Sequence, residues 1–484
     1  MTDAPLPVPP GTTPAGELVG LSEARGRWVL LATTLGSGVA LLDATVVNIA
    51  LPTLGRSLDA GFSGLQWTVN GYTLTLAALL LLGGSLGDRF GRRRTFVLGA
   101  VWFATASLLC GLAPDIRVLV AARLLQGVGG ALLTPGSLAL ISASFRPEDR
   151  GRAIGAWTGL GGVAGALGPL VGGSLVQVSW RLVFLLNLPL CAVVVAVALR
   201  HVPESRDVDM NPRIDVPGAV AGALGLMGVT YALITAGDTG ASPAVLVSGL
   251  LGVLGLVAFV LVERRSAAPM LPLDVFASRQ FTAANLVTFA VYAALGGVFF
   301  LLVVDLQVVA GFAPLAAGLS MLPVTACMLL LSSRTGALAA RIGPRLPMTV
   351  GPLVCACGLL LTRRIGPGAG YLPDVLPAVL VFGLGLSCTV APLTSTALAA
   401  ASSRHAGVAS GVNNAVARTG GLLSVAVLPL LTGLRGADYR DAAAFGGSFR
   451  AAMLICAGLL ALGGLLAVAT IRNDVLEEPA PRGA

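Results

Sequence analysis

Runs of about 20 apolar residues, separated by short segments rich in Arg, Gly or Pro, recur along this 484-residue chain from Trp28 to Ile471. Each run is long enough to cross the roughly 30 Å hydrocarbon core of a bilayer as a helix. Hydrophobic residues make up 55% of the chain and charged residues only 11%, too few to cover the surface of a soluble protein. The sequence therefore predicts an all-α integral membrane protein.

We predict fourteen membrane-spanning helices whose short connections leave one packed helical domain. Their expected ranges are 28–52, 64–86, 95–113, 118–142, 153–176, 182–200, 217–237, 244–263, 281–309, 315–338, 346–362, 373–399, 406–431 and 451–471. The seven cysteines all fall inside these spans, which argues against a disulfide framework and a metal site.

The distribution of arginine predicts the orientation. All 31 basic residues are Arg. With the N-terminus inside, about 20 of them lie in cytoplasmic segments and about eight face outward, so the positive-inside rule places both termini in the cytoplasm. Residues 1–27 and 472–484 are then cytoplasmic tails, the first expected to be disordered. Because the arginines are spread over many short loops, their charge indicates topology and no nucleic-acid partner.

An internal repeat divides the chain. The segment "GSLGDRFGRRR" at 84–94 is echoed by "GALAARIGPRL" at 336–346, an offset of 252 residues that also relates the first span to the ninth. The repeat predicts two six-helix bundles, 28–200 and 281–471, joined by a linker, 201–280, that contains two inserted helices. Duplicated halves are typical of secondary transporters, whose substrate site lies between them.

Two carboxylates interrupt the apolar spans. Asp43 lies in the first span, too far from either end to snorkel, and Arg123 in the fourth span lies at a comparable depth. A contact between them is geometrically plausible. If hydration or this distance changes during transport, Asp43 can bind a proton on one side and release it on the other; the alternative is a permanent ion pair that only fixes helix packing. Asp305 is either a second proton site or a carboxylate wetted near the outer surface.

Four motifs in the expected order resemble the major facilitator superfamily, and specifically its fourteen-helix drug:proton antiporter branch. The loop motif G-x-L-x-D-R-x-G-R-[KR] is carried by Gly84, Leu86, Asp88, Arg89, Gly91, Arg92 and Arg93. The motif R-x-x-Q-G-x-G-x-A is carried by Arg123, Gln126, Gly127, Gly129 and Ala131. The antiporter motif is carried by Gly168, Pro169, Gly172 and Gly173, and "LDATVVNIALP" spans 42–52.

The resemblance implies a major facilitator fold and roles for these motifs. The loop motif implies a conformational latch around Asp88. The alternative is a static, solvated turn. The antiporter motif implies export, although its small residues also fit ordinary helix packing. Other polar side chains are candidates to line a substrate cavity, with interhelical hydrogen bonding as the alternative: Asn48, Asn70, Tyr72, Gln126, Asn187, Gln307, Asn413 and Arg418.

The leading functional prediction is a proton-driven exporter of small amphiphilic drugs or antibiotics, a monomer in the bacterial plasma membrane that contacts lipid, protons and its substrate. Without Lys the chain has no Walker A motif, so we expect a proton gradient and no cofactor as its energy source. We expect no enzymatic activity, since no catalytic set of carboxylates, His or nucleophile is evident. The alternatives are a uniporter or symporter for a metabolite, and a membrane receptor or scaffold that does not transport.

Overall fold

The computed structural model describes residues 18–206, 215–266, 269–401 and 406–476. These residues contain fourteen helices long and apolar enough to cross a membrane, numbered α1 to α14. The helices span Ala24–Ser57, Phe62–Phe90, Arg92–Leu112, Ile116–Ser144, Pro147–Val178, Leu182–His201, Val216–Thr239, Pro243–Arg265, Arg279–Val308, Pro314–Ile342, Arg345–Arg364, Tyr371–Ala399, Gly407–Thr432 and Ala442–Thr470. The predicted number of spans is confirmed.

The last helix begins well before its predicted start at residue 451. Asp441 caps α14 by accepting hydrogen bonds from the backbone N–H groups of Ala443, at 2.7 Å, and Ala444, at 3.1 Å. Such a cap satisfies N–H groups that have no partner within the helix. Arg450, which we expected in a loop, therefore lies inside α14.

Two spans predicted as continuous are interrupted. α6 consists of Leu182–Leu185 and Asn187–His201, and α10 consists of Pro314–Ser320 and Leu322–Ile342. Each break lies just before a proline, Pro189 or Pro323, which has no N–H to donate to the preceding turn. The break in α6 matters for the site below because Asn187 starts the second segment.

The helices form two halves and a peripheral pair. The first half contains α1 to α6 and the second α9 to α14. α7 and α8 pack against each other through glycines, and α7 also contacts α2 and α13, one helix from each half. The inserted pair thus covers one seam between the halves. Residues 207–214 and 267–268 of the predicted linker lie outside the described residues.

We call the end of the bundle where α1 begins and α14 ends the termini face, and the opposite end the far face. The chain before α1 is packed on the termini face: the Val19 N–H donates to the Ser144 carbonyl at 2.8 Å, and the Val19 side chain is buried. This differs from the disordered tail predicted for residues 1–27. Residues 1–17 and 477–484 lie outside the described residues.

The two halves are bonded to each other at the far face. The loop between α13 and α14 reaches the loop between α1 and α2: Tyr439 Oη donates to the Ala60 carbonyl at 2.9 Å, and Arg440 pairs with Asp59 at 3.0 Å. Further bonds between the halves join Phe62 to Gly436, Gln66 to Val425 and Gln307 to Ile49.

The space between the halves reaches solvent from the termini face. Within the described ranges, no hydrogen bond or ion pair joins the halves at that end. Midway along α13, Asn414 is exposed and Arg418 is partly exposed, although α13 is surrounded by α2, α7, α9, α12 and α14. Their side of α13 therefore opens on a cleft between the halves.

Close helix packing in the first half depends on Gly127 of α4. A Cβ atom at this position would collide with the Thr75 side chain and the Tyr72 carbonyl of α2. We expect Gly127→Ala to lower the free energy of unfolding by about 1–3 kcal/mol, because α2 and α4 must separate. Thermal denaturation of the detergent-solubilised protein measures this. Gly155→Ala is the matched control, since nothing lies within 4 Å of its Cβ position; equal losses in both variants would contradict the packing argument.

Candidate functional site

A buried polar network surrounds Asp43 in the first half. The side chain is 0% exposed, and one carboxylate oxygen accepts a hydrogen bond from Arg123 Nη1 of α4 at 2.5 Å. The other oxygen accepts from Gln126 Nε2 at 2.8 Å and from Asn187 Nδ2 of α6 at 2.9 Å. The structure therefore brings Asp43 and Arg123 together, as depth along the helices suggested.

Neighbouring helices complete this network. Ser107 of α3 accepts hydrogen bonds from Gln126 at 2.8 Å and from Asn187 at 3.3 Å. Arg123 donates through Nε to the Thr68 carbonyl of α2 at 2.8 Å and through Nη1 to Gln126 Oε1 at 2.6 Å. Five of the six helices in this half contribute, and the ionised pair has no net charge. Full pairing is what allows two charges to remain buried.

Aromatic rings cover the Arg123 guanidinium. Its central carbon lies 4.5 Å from the centre of the Tyr72 ring and 5.8 Å from that of Phe184, within the range of cation–π attraction. Among the described residues, the buried Tyr72 hydroxyl has no hydrogen-bond partner. Tyr72 also interacts electrostatically with Arg418 of the other half. It is therefore close both to the Asp43 network and to Arg418.

The chemistry open to this arrangement is the binding of a proton. Asp43 is the acidic member of the network, and protonation would remove the charge that holds Arg123. In surroundings of low dielectric, that loss changes the interaction energy far more than it would in water. The network can thus exist in two states that differ by one proton.

Asp305 belongs to a separate environment. It lies on α9 near the far face and is 0% exposed, and among the described residues neither carboxylate oxygen has a hydrogen-bond partner. Arg450 of α14 is a nearby positive charge, but the described structure contains no ion pair between the two. The alternative of a wetted carboxylate is therefore wrong for this conformation.

The loop motif forms a folded corner on the termini face. Asp88 accepts a hydrogen bond from Arg92 Nε at 2.7 Å, and Gly91 has a φ of 112°, in the left-handed region that favours glycine. Arg89 lies over the ring of Phe90 at 5.1 Å. Gly84 lies against Pro135 of α4. The described contacts of Asp88 are thus within its own motif, and its role as a latch stays a prediction.

Glu204, in the segment after α6, binds this corner. Its carboxylate accepts from the Arg93 backbone N–H at 3.0 Å and lies 3.7 Å from Nε of both Arg93 and Arg94. Sequence analysis missed Glu204. The available signal was an acid in the short connection that returns to the same face as the arginine cluster.

The antiporter motif packs α5 against both halves. A Cβ on Gly168 would collide with Thr45 of α1, and one on Gly172 would approach Val46. On the other side, a Cβ on Gly173 would lie 2.6 Å from the Leu315 Cα of α10, and the Pro169 carbonyl contacts Gly318. The motif therefore lies where α5 meets α10 of the opposite half.

The predicted cavity residues fall into three groups. Gln126 and Asn187 belong to the Asp43 network, and Asn413 is buried within the second half, where it donates to Asn285 and Thr288. Gln307 joins the halves at the far face. Tyr72 and Arg418 lie near the boundary between the halves. Among the described residues, buried side-chain atoms of Asn48, Asn70 and Tyr72 have no hydrogen-bond partner.

Asp43→Asn should destabilise the protein, because the buried Arg123 guanidinium loses its counter-charge. We expect a loss of about 3–5 kcal/mol in the free energy of unfolding. Asp305→Asn breaks no ion pair among the described residues, so it should not lower the free energy of unfolding. Thermal denaturation compares the two variants, with exposed Asp59→Asn as the control for a surface ion pair. Equal destabilisation by Asp43→Asn and Asp305→Asn would contradict the assignment of the buried pair.

Comparisons with known proteins agree with this architecture. The chain matches the Major Facilitator Superfamily over residues 33–425. It is 38% identical to the puromycin resistance protein of Streptomyces alboniger, covering 86% of this chain and 84% of that protein. It is 35% identical to the methylenomycin A resistance protein of Bacillus subtilis (88% and 92% covered) and 36% identical to a probable actinorhodin transporter of Streptomyces coelicolor (93% and 80%).

Solved structures share the fold at low sequence identity. A bacterial homologue of the human lysosomal transporter Spinster matches with a TM-score of 0.62 and 17% identity, covering 95% of this chain and all of that one. A peptide transporter of the POT family matches with a TM-score of 0.67 and 15% identity, covering 94% of this chain and 98% of that one. The chain belongs to the Major Facilitator Superfamily, and its fourteen helices and resistance-protein relatives place it in the fourteen-helix drug:proton antiporter class.

Proposed function

We propose that this protein exports small amphiphilic drugs or antibiotics across the bacterial plasma membrane in exchange for protons. The observation that carries the proton coupling is the Asp43–Arg123 pair, sealed inside one half with the Tyr72 ring against Arg123. The names of the relatives, which are resistance and export proteins, support the class of compound. Like the known members of its family, the protein is then a transporter without enzymatic activity, and the proton gradient replaces any cofactor.

Transport would proceed by alternating access of the cleft to the two faces. The bonds between Arg440 and Asp59 and between Tyr439 and Ala60 must break for the far face to open. The Asp43 network is buried within one half, whereas the bonds between the halves lie toward the far face. The halves can therefore rock as units, and a monomer contains every element that this motion needs.

Asp43 is the proposed proton carrier. When it binds a proton, Arg123 keeps the Thr68 carbonyl and Gln126 as acceptors but loses its counter-charge. That change favours a rearrangement of α1 against α4, after which the proton can leave toward the other face. Tyr72, with its unpartnered hydroxyl, lies where such a rearrangement would open Asp43 to the cleft.

Asp305 stays a prediction as a second proton site. A buried carboxylate without a partner among the described residues is costly while the far face is closed. Opening of the far face would hydrate it.

Proton coupling is tested in proteoliposomes that contain the purified protein and a pH-sensitive dye. Addition of a transported drug should move protons in the wild type and fail to do so in Asp43→Asn, because an amide cannot carry the proton. Drug exchange between two sides at equal pH needs no net proton movement and should persist in that variant. Asp238→Asn controls for the loss of an acid, since Asp238 is exposed and lies in the inserted pair.

Normal drug-dependent proton movement by Asp43→Asn would refute the role of this residue. A wild type that moves drug without protons would instead support a uniporter. The loss of both exchange and proton movement in Asp43→Asn, with the fold intact, would show that the pair serves substrate binding or the conformational change and not coupling.

We further propose that the termini face is cytoplasmic, where the loop-motif arginines meet the anionic inner leaflet. The conformation described above is then open to the cytoplasm. In a cysteine-free background, a membrane-impermeant maleimide should label Ala437→Cys in intact cells and Asp474→Cys only after permeabilisation. Both positions are exposed. The reverse pattern would contradict the orientation.

A further inference from the structure

Arg418 lies deep in the bundle on the side of α13 that faces the cleft. It is eleven residues from the start of α13, or about 16 Å along the helix. It interacts electrostatically with Tyr72 of the first half and with Tyr292 of α9, so it lies between α2 and α9. Its side chain is partly exposed, as is expected for a residue that lines the cleft.

Arg418 has no counter-ion among the described residues. It also forms no hydrogen bond with another residue in those ranges. Arg123, at a similar distance from the ends of its helix, is paired with Asp43 and bonded to two further acceptors. The two embedded arginines therefore differ: one has all its partners inside the protein, and the other presents its donors to the cleft.

The embedded acids cannot neutralise Arg418 from within the protein. Asp43 is enclosed by its own network, and Asp305 is sealed near the far face. Glu263 lies at the end of α8 in the inserted pair, where it accepts from the Leu271 N–H. At the depth of Arg418, the formal charge facing the cleft is therefore positive.

The surroundings of Arg418 fit an organic anion. Asn414 lies one turn before it on the same side of α13 and is exposed, which adds an amide to the guanidinium donors. Tyr292 is partly buried nearby and offers a ring as well as a hydroxyl. A guanidinium binds a carboxylate through two parallel hydrogen bonds, and such charge-assisted bonds strengthen away from bulk water. Ring faces nearby suit the apolar body of an amphiphile.

We propose that Arg418 binds an ionised acidic group of the exported compound, so that amphiphilic organic acids are the preferred substrates. This inference rests on the proposed export function and names the chemical class that the cleft selects. A cationic compound would meet Arg418 as a like charge, with no acid exposed at the same depth to compensate. Neutral compounds would bind without this pairing.

The test measures equilibrium binding to the purified full-length protein in phosphatidylcholine nanodiscs. The probes share one apolar body: pyrenebutyrate, its methyl ester and pyrenebutylamine. Energy transfer from the protein's tryptophans to pyrene reports binding, and empty nanodiscs give the background. The wild type should bind pyrenebutyrate at least about 10-fold more tightly than the ester or the amine, as expected for a hydrogen-bonded charge pair.

Arg418→Gln should weaken binding of pyrenebutyrate about 10- to 100-fold. Its affinity for the methyl ester should stay within about twofold of the wild-type value, which also shows that the variant is folded. Arg418→Lys should restore part of the preference, since it keeps the charge without the paired geometry. Arg334→Gln is the matched control, because Arg334 is an exposed arginine that lines a groove of α10 and α12.

A preference for the acid that survives in Arg418→Gln would overturn the proposal, as would a wild type that binds the ester or amine as tightly as the acid. An equal loss of acid binding in Arg334→Gln would overturn it too, because a general effect of positive charge would then explain the result. Binding at equilibrium requires no proton gradient. The binding test can therefore support anion recognition even if the proton-movement test refutes the role of Asp43. Proton movement can likewise be confirmed even if the acid probe shows no preference for Arg418.

Discussion

The buried ion pair between Asp43 and Arg123 constrains the first half more than any other contact. Neither charge can lose its partner without a large penalty, so α1 and α4 keep a fixed register while the pair is ionised. The remaining acceptor capacity of Asp43 is filled by Gln126 and Asn187. Asn187 can reach it from the start of the second α6 segment, beyond the break that precedes Pro189. The break in α6 thus serves this buried network.

The boundary between the halves follows a different principle. It contains small residues, such as Gly173 against Leu315 and Gly318 against Pro169, and polar bonds at its far rim. Bonds at the far face can exchange for water when that face opens, whereas the Asp43 network is enclosed within its half. The bonds whose breakage opens the far face therefore lie between the halves.

Hydropathy alone predicted the fourteen spans, because a bilayer imposes helix length directly on the sequence. Depth along the helices also predicted that Asp43 and Arg123 could meet. The beginning of α14 could not be read in this way, since it depends on a single cap at Asp441. Isolated polar residues were ambiguous for a related reason: Gln126 has the same character whether it lines a cavity or pairs with a carboxylate.

Sequence reasoning missed the contributions of Ser107 and Glu204 because neither belongs to a motif. Ser107 is a small hydroxyl in an apolar helix, and it acts only because two amides converge on it. Glu204 acts only because the chain returns to the loop motif after α6. Such residues gain their roles from tertiary neighbours, so a single sequence carries no periodicity that identifies them.

The enclosure of Asp43 limits how a proton and a substrate can compete. In direct competition, a cationic drug displaces the proton from one shared carboxylate, which requires that carboxylate to face the cleft. Asp43 is 0% exposed and its oxygens are occupied by side chains of α4 and α6. Arg418, the cleft-facing charge, lies in the other half and has the opposite sign. Under the proposed coupling, competition would act through conformation: the proton and the substrate would favour the opening of different faces, and Tyr72, close to both arginines, is placed to link the two events.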